Sequence, residues 1–191
     1  MAAADAVQKE SLRTRRLVLT PVAVRHARAL HALINDWEVV KTLAVLPWPV
    51  PLAAVESFAA SQERSEGGED AFAVLLDGAP IGTCGIKRPG SGRPPRKMPR
   101  LGYWIGRPHW GQGYATEAVA AIVGHAFERF DADVVGAGVF VDNPASRRVL
   151  EKLGFTRVGG YPVGCAARGE RVVVDNMHVT RARWAERAKA A

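Results

Sequence analysis

Trp110-Gly-Gln-Gly-Tyr-Ala-Thr-Glu-Ala118 lies between a short β-forming run, Leu101-Gly-Tyr-Trp-Ile105, and the strongest helical pattern in the chain. That pattern predicts a helix over 116–130, with Val119, Ile122, Val123, Ala126, Phe127 and Phe130 on one apolar stripe. Glycines at 111 and 113 let the backbone approach a ligand closely and take conformations that a Cβ forbids. The first turn of the following helix offers N–H groups without intrahelical partners and a partial positive charge. Together these features make an anion site fit for a pyrophosphate, although a glycine turn before a helix is often only a tight turn. Two other phosphate signatures do not apply. The Walker A string Gly-x-x-x-x-Gly-Lys-Ser/Thr does not occur, and Thr116 stands where a Gly-x-Gly-x-x-Gly turn needs its third glycine.

One strand further on comes Asn143-Pro-Ala-Ser-Arg-Arg-Val-Leu-Glu-Lys-Leu-Gly-Phe155. Asn143 suits a helix cap and Pro144 the first helical position. Val149, Leu150 and Leu153 supply the apolar face, and Gly154 stops the helix. Between the two motifs, the run 134–141 is nearly all apolar and reads as a strand buried on both faces. The strand–helix–strand unit from Leu101 to Val141 is therefore expected to be a right-handed parallel crossover.

Upstream, 16–22 reads as a strand, and Val24, Ala27, Leu30, Leu33 and Ile34 recur at helical spacing. Pro47, Pro49 and Pro51 break the chain before a second helix over 52–64. Two apolar runs, 71–76 and 81–87, are joined by Asp77-Gly78, a strong hairpin signal. Downstream, 155–158 and 171–179 read as final strands and 181–190 as a basic helix or tail. The sum is one mixed α/β domain over 11–185, with flexible ends at 1–10 and 186–191.

Composition narrows the class. The chain has 191 residues, 48% of them hydrophobic and 24% charged, which suits a globular domain with a real core. No apolar run approaches the ~18 residues of a membrane-spanning helix. The basic N-terminal stretch has no apolar segment behind it, so no secretory signal is expected. Two distant cysteines, Cys84 and Cys165, favour a reducing cytoplasm and no metal site. The net charge of +7 is concentrated: Lys87, Arg88, Arg93, Arg96, Lys97 and Arg100 account for six of the seven excess charges, with no acidic residue among them. A general nucleic-acid binder is not expected from one basic loop.

The pair WGQGYATEA and NPASRRVLEKLGF, in this order and spacing, resembles the GNAT superfamily of N-acetyltransferases. Within it the match is to the RimJ/RimL-type branch, which includes ribosomal-protein N-terminal acetyltransferases. Leu101-Gly-Tyr-Trp-Ile105 and the opening Leu12-Arg-Thr-Arg-Arg-Leu-Val-Leu19 fit that branch too. The resemblance implies an α/β (α+β) fold: a mixed, mostly antiparallel sheet with a central splayed parallel strand pair, flanked by helices. It implies acetyl-coenzyme A as co-substrate and an amine as acceptor, either a peptide N-terminus or a small molecule. A second copy of the chain is an allowed partner; a membrane and direct nucleic-acid binding are not expected.

By the same resemblance, the backbone of Trp104 and Ile105 would pair with the pantetheine arm. Trp110, Gly111, Gln112, Gly113, Tyr114, Ala115 and Thr116 would hold the pyrophosphate. The family often has Gln or Arg at the first position of this loop, whereas Trp or Tyr is common in this branch, so the phosphates would rely on backbone donors, Gln112 and nearby arginines. Asn143 would orient the pantetheine amide and Ser146 would protonate the leaving thiolate. Asn143 is equally an ideal helix cap, and Ser146 a first-turn hydroxyl on the same helix. Arg147, with Arg148, would meet the coenzyme's terminal phosphate. Related proteins often carry Glu just before Leu-Gly-Tyr-Trp; Arg100 stands there instead. Asp175, Asp142 or a water chain would then have to deprotonate the amine. Three rivals remain: an antibiotic- or polyamine-modifying enzyme, a catalytically silent acyl-coenzyme A binder, and an RNA binder using the basic loop. Trp37 and Trp48 are expected to pack in the core rather than line an acceptor pocket.

Overall fold

Asp77 and Gly78 both take positive φ, 50° and 83°, as a two-residue hairpin turn requires. They join β3 (Glu69–Leu76) to β4 (Ala79–Lys87). The computed structural model describes residues 10–66, 68–91 and 97–190, apart from the side chains of 188–190. Six further strands complete one sheet: β1 (Leu12–Arg13), β2 (Leu17–Pro21), β5 (Arg100–Ile105), β6 (Val134–Phe140), β7 (Thr156–Cys165) and β8 (Glu170–Thr180). Their spatial order is β1-β2-β3-β4-β5-β6-β8-β7, antiparallel throughout except for β5–β6.

Alternation along the strands splits the core into two layers. Phe72 and Val74 of β3 face the same cluster as Leu101, Tyr103 and Ile105 of β5, covered by α4 (Tyr114–Arg129) and α5 (Pro144–Lys152). Ala71 and Ala73 face the opposite way, and their small side chains let α1 (Ala27–Ile34) and α3 (Leu52–Glu63) settle on that side. The apolar stripe read for α4 is buried at Val119, Ile122, Val123, Ala126 and Phe127. Between α1 and α3 a single turn, α2 (Trp37–Val40), is capped by the Asp36 side chain.

The structure departs from the sequence reading in several places. Strand β1 and helix α2 are too short to show a period. Strand β7 runs on to Cys165, well past Val158. Gly159, Gly160, Pro162 and Gly164 dilute its pattern; pairing with β8 makes the strand, and an edge position tolerates the proline. In β6, Gly138 is exposed, so that strand is not buried on both faces throughout. Trp37 and Trp48 are 39% and 41% exposed, and meet edge to face at 5.8 Å outside the core.

Buried charge is paired. Asp70, fully buried, accepts from Arg88 at 2.7 Å and Arg129 at 3.1 Å. The last helix, α6 (Arg181–Ala190), opens with an arginine that closes α4. The Arg181 guanidinium donates to the carbonyls of Phe127 (2.9 Å), Phe130 (3.1 Å) and Ala132 (2.9 Å), in and just past the last turn of α4. Water reaches this site, so Arg181→Ala is expected to destabilise by only about 1 kcal/mol in a urea melt.

Candidate active site

Strands β5 and β6 pair over two positions only, Arg100↔Gly136 and Leu101↔Ala137. Both strands then continue, to Ile105 and Phe140, without further pairing to each other. What faces the resulting gap follows from the strand period of two. The Gly136 N–H reaches the Pro99 carbonyl at 2.9 Å, so odd-numbered residues of β5 turn their backbone groups toward β6. The Gly106 N–H reaches Ile81 on β4 at 2.8 Å, and the Trp104 carbonyl lies against Gly82 of β4. Tyr103 and Ile105 therefore present backbone groups to the gap. Trp104 does not, which corrects the expected pairing of Trp104 and Ile105. The Ile105 carbonyl is already taken by the Trp110 indole N–H at 2.6 Å, so its N–H is the group left over.

The mouth of the gap carries the glycine turn. Gly111 and Gly113 sit at φ 77° and 82°, the left-handed region that glycine enters freely. Gly113 is the N-cap of α4, which starts at Tyr114, two residues before the apolar pattern suggests. No side chain caps this N-terminus, so the leading N–H groups at Tyr114, Ala115 and Thr116 stay available. Gly111, Gln112 and Gly113 are exposed, while the Tyr114 ring is buried. The Gln112 side chain bends back to the Pro108 carbonyl at 3.4 Å. An uncapped helix N-terminus preceded by exposed glycines fits a diphosphate.

At the inner end, α5 approaches β5. Asn143 caps α5, its Oδ1 accepting from the Ser146 N–H at 3.0 Å. The Ser146 hydroxyl lies 2.7 Å from the Tyr103 hydroxyl, which also reaches the Ser146 carbonyl at 3.2 Å. This bridge spans the gap. Burial pushes the Tyr103 phenol well above its ordinary pKa, despite the opposing hydrogen bond from Ser146. The sequence marks Tyr103 only as part of a strand; the one signal it offers is the position two residues before Ile105, which puts both on the same side of that strand.

Both carboxylates expected as substitute bases are bound by arginine. Asp175, 2% exposed, accepts from Arg157 at 2.6 Å and from Arg147. The Arg157 hydrogen bond, with Arg147 beside it, holds this carboxyl below the usual range against the effect of burial. Asp142 accepts from Arg168 at 2.5 Å and is likewise held low by that bond. Arg147 thus turns to Asp175, while Arg148 is exposed. Arg100 donates to Asn176 at 2.6 Å and to the Tyr161 hydroxyl at 3.2 Å.

On the α1–α3 side, Gly102 and Gly138 are exposed although they lie in central strands, and a Cβ at Gly102 would meet nothing within 4 Å. The sheet is therefore open beside Gly102, whereas at Gly138 a Cβ would meet Val174 at 3.0 Å and Arg100 at 3.3 Å. The β7–β8 turn docks beside this opening on the segment after α2: Ala166 N–H donates to Ala44 at 2.9 Å and Arg168 Nε to Lys41 at 2.7 Å. Of the basic loop, Arg93 and Arg96 lie outside the described residues. Lys97 is exposed, and Arg88 is spent on Asp70.

The sheet is thus opened at its one parallel pair, with a helix N-terminus that no side chain caps at the mouth. The chain belongs to the GNAT acetyltransferase family: the acetyltransferase (GNAT) domain model matches residues 16–156. It is 30% identical over 155 residues to p20, an uncharacterised N-acetyltransferase of Bacillus licheniformis, covering 78% of this chain and 84% of p20. It is 26% identical over 151 residues to the ribosomal-protein-serine acetyltransferase of Escherichia coli K12, covering 75% and 80%. Among solved structures, RimL, a ribosomal L7/L12 alpha-N-protein acetyltransferase in complex with coenzyme A, superposes with TM-score 0.74. That match has 20% identity over 90% of this chain and 98% of RimL, and speaks for the fold alone. The protein is an acyltransferase whose co-substrate is acetyl-coenzyme A. No helix among the described residues is long and apolar enough to cross a membrane.

Proposed function

We propose that the chain acetylates a primary amine by direct transfer, with a protein N-terminal α-amine as the first acceptor class and small-molecule amines as the second. The observation that carries this is the gap itself: the backbone groups of Tyr103 and the Ile105 N–H on one wall, and the Ser146 hydroxyl at its end. Acetyl-coenzyme A supplies an activated acetyl thioester. Trp110 to Thr116 hold its diphosphate, and Ile105 N–H serves as the single donor to the acyl oxygen. Asn143 fixes the start of α5 and so places Ser146. The acceptor enters from the opened α1–α3 face, past Gly102. Its nitrogen forms the bond to the acyl carbon as the carbon–sulfur bond breaks. The Ser146 hydroxyl gives its proton to the departing sulfur and is resupplied by Tyr103, and the proton that the acceptor nitrogen sheds returns through water to the Tyr103 oxygen.

The relationship to a ribosomal-protein-serine acetyltransferase supports a peptide acceptor. We also place the activity on one domain, residues 11–185, acting in a reducing cytoplasm, in keeping with two buried free cysteines. One observation favours a second reading, a silent acyl-coenzyme A binder: Asp142 and Asp175, the two carboxylates expected as substitute bases, are both ion-paired. The two part in a thiol-release assay across N-terminal peptides, aminoglycosides, polyamines and amino acids. Acetyl-dependent thiol release with a peptide is the expected outcome. A coenzyme-dependent rise in melting temperature with no release for any amine would establish the silent binder.

A further inference from the structure

The glycine turn is held from behind by strand-edge residues far away in sequence. Arg16 lies just before β2, and its Nη1 donates to the Gln112 carbonyl at 3.0 Å. Its Nε donates to Glu117 at 2.7 Å, and its backbone N–H to the same carboxylate at 2.8 Å. The Thr14 hydroxyl adds a third donor to Glu117 at 2.6 Å. The guanidinium also lies 4.5 Å over the Tyr114 ring. Four contacts thus converge on residues 112, 114 and 117 from one arginine.

The peptide between Gln112 and Gly113 is where this acts. In a trans peptide the carbonyl and the next N–H point in opposite directions. Gripping the Gln112 oxygen therefore aims the Gly113 N–H away from Arg16 and out of the turn. Gly113 alone cannot hold that direction, because glycine rotates freely. We infer that Arg16 is a positioning residue for the coenzyme's diphosphate: it fixes the Gln112–Gly113 peptide so that the Gly113 N–H joins the donors at the start of α4. Glu117 and Thr14 keep the guanidinium in place and are part of the same device. A fork is needed for this, since one guanidinium must reach a carbonyl and a carboxylate at once; an ammonium is a single point.

This inference rests on the diphosphate site proposed above, and the experiment separates the two. Acetyl-coenzyme A is compared with S-acetyl-pantetheine, which has the same thioester and no diphosphate, in the wild type, Arg16→Lys and Arg16→Met. Wild type is expected to prefer acetyl-coenzyme A strongly in kcat/KM. Both variants should raise KM for acetyl-coenzyme A by about ten- to a hundredfold, the range of one or two charge-assisted hydrogen bonds. Neither should alter kcat or the rate with S-acetyl-pantetheine by more than about twofold. Restoration by lysine would overturn the inference, because charge alone would then suffice. Equal losses with both thioesters would also overturn it, showing a general structural defect. No preference in the wild type would instead remove the diphosphate site.

Discussion

Gly113→Glu is expected to abolish acetyl-coenzyme A binding, with affinity falling by more than about a hundredfold in calorimetry. Three effects add. At φ 82° any side chain forces an L-residue into the left-handed region, at about 1–2 kcal/mol. A Cβ there would lie 3.4 Å from Arg16 Nη2, so the new carboxylate falls within reach of the guanidinium that holds Gln112. Its negative charge also stands beside the helix N-terminus, where the diphosphate is to sit. Gly113→Ala carries the first effect alone and should cost about tenfold or less. Retained affinity in the glutamate variant would sink the phosphate-turn assignment.

Ser146→Ala is expected to lower kcat by about a hundredfold, within the range of a lost general acid, with little change in KM for acetyl-coenzyme A. The variant is a clean one. Asn143 caps α5 through the backbone N–H of residue 146, which alanine keeps. Tyr103→Phe should lose less, about tenfold, because Ser146 would still face the sulfur and only its resupply would be impaired. The pH dependence follows from Tyr103. It works protonated, and burial raises its pKa, so ionisation is displaced further into alkali. The wild-type rate should therefore climb with pH as the acceptor amine loses its proton, and level off without a descending limb below about pH 10, the ordinary tyrosine value. A fall in kcat between about pH 8 and 9 would contradict Tyr103 as the donor behind Ser146.

Long-period features were legible in the sequence. The α4 stripe, the Asp77-Gly78 hairpin, the Asn143 cap with Pro144 behind it, and the order of the main elements all declare themselves within a few residues. They depend on local chemistry and on burial of one face. What did not show depends on distant partners. Strand β7 is made by β8, because its own glycines and Pro162 carry no β signal. The family resemblance implies the backbone of Trp104 at the gap together with Ile105; only the register with β4 shows that it turns away. Arg147 stands at the start of a ligand-facing helix, yet Asp175, 28 residues on, claims it. Arg16 and Glu117 are separated by 101 positions, and no spacing rule joins them.

The short β5–β6 contact has a consequence for how the sheet holds together. Five strands on one flank and three on the other share two rungs of strand pairing among the described residues, helped by side-chain ties such as Tyr103–Ser146 and Arg100–Asn176. Beyond those rungs β5 and β6 make no pairing with each other, and the Ile105 N–H faces the space between them. A pantetheine chain, with its own amide groups, has the right chemistry to act as a ninth strand. On that view the loaded enzyme is the one whose two flanks are fully stitched, and catalysis returns it each cycle to a seam left partly undone.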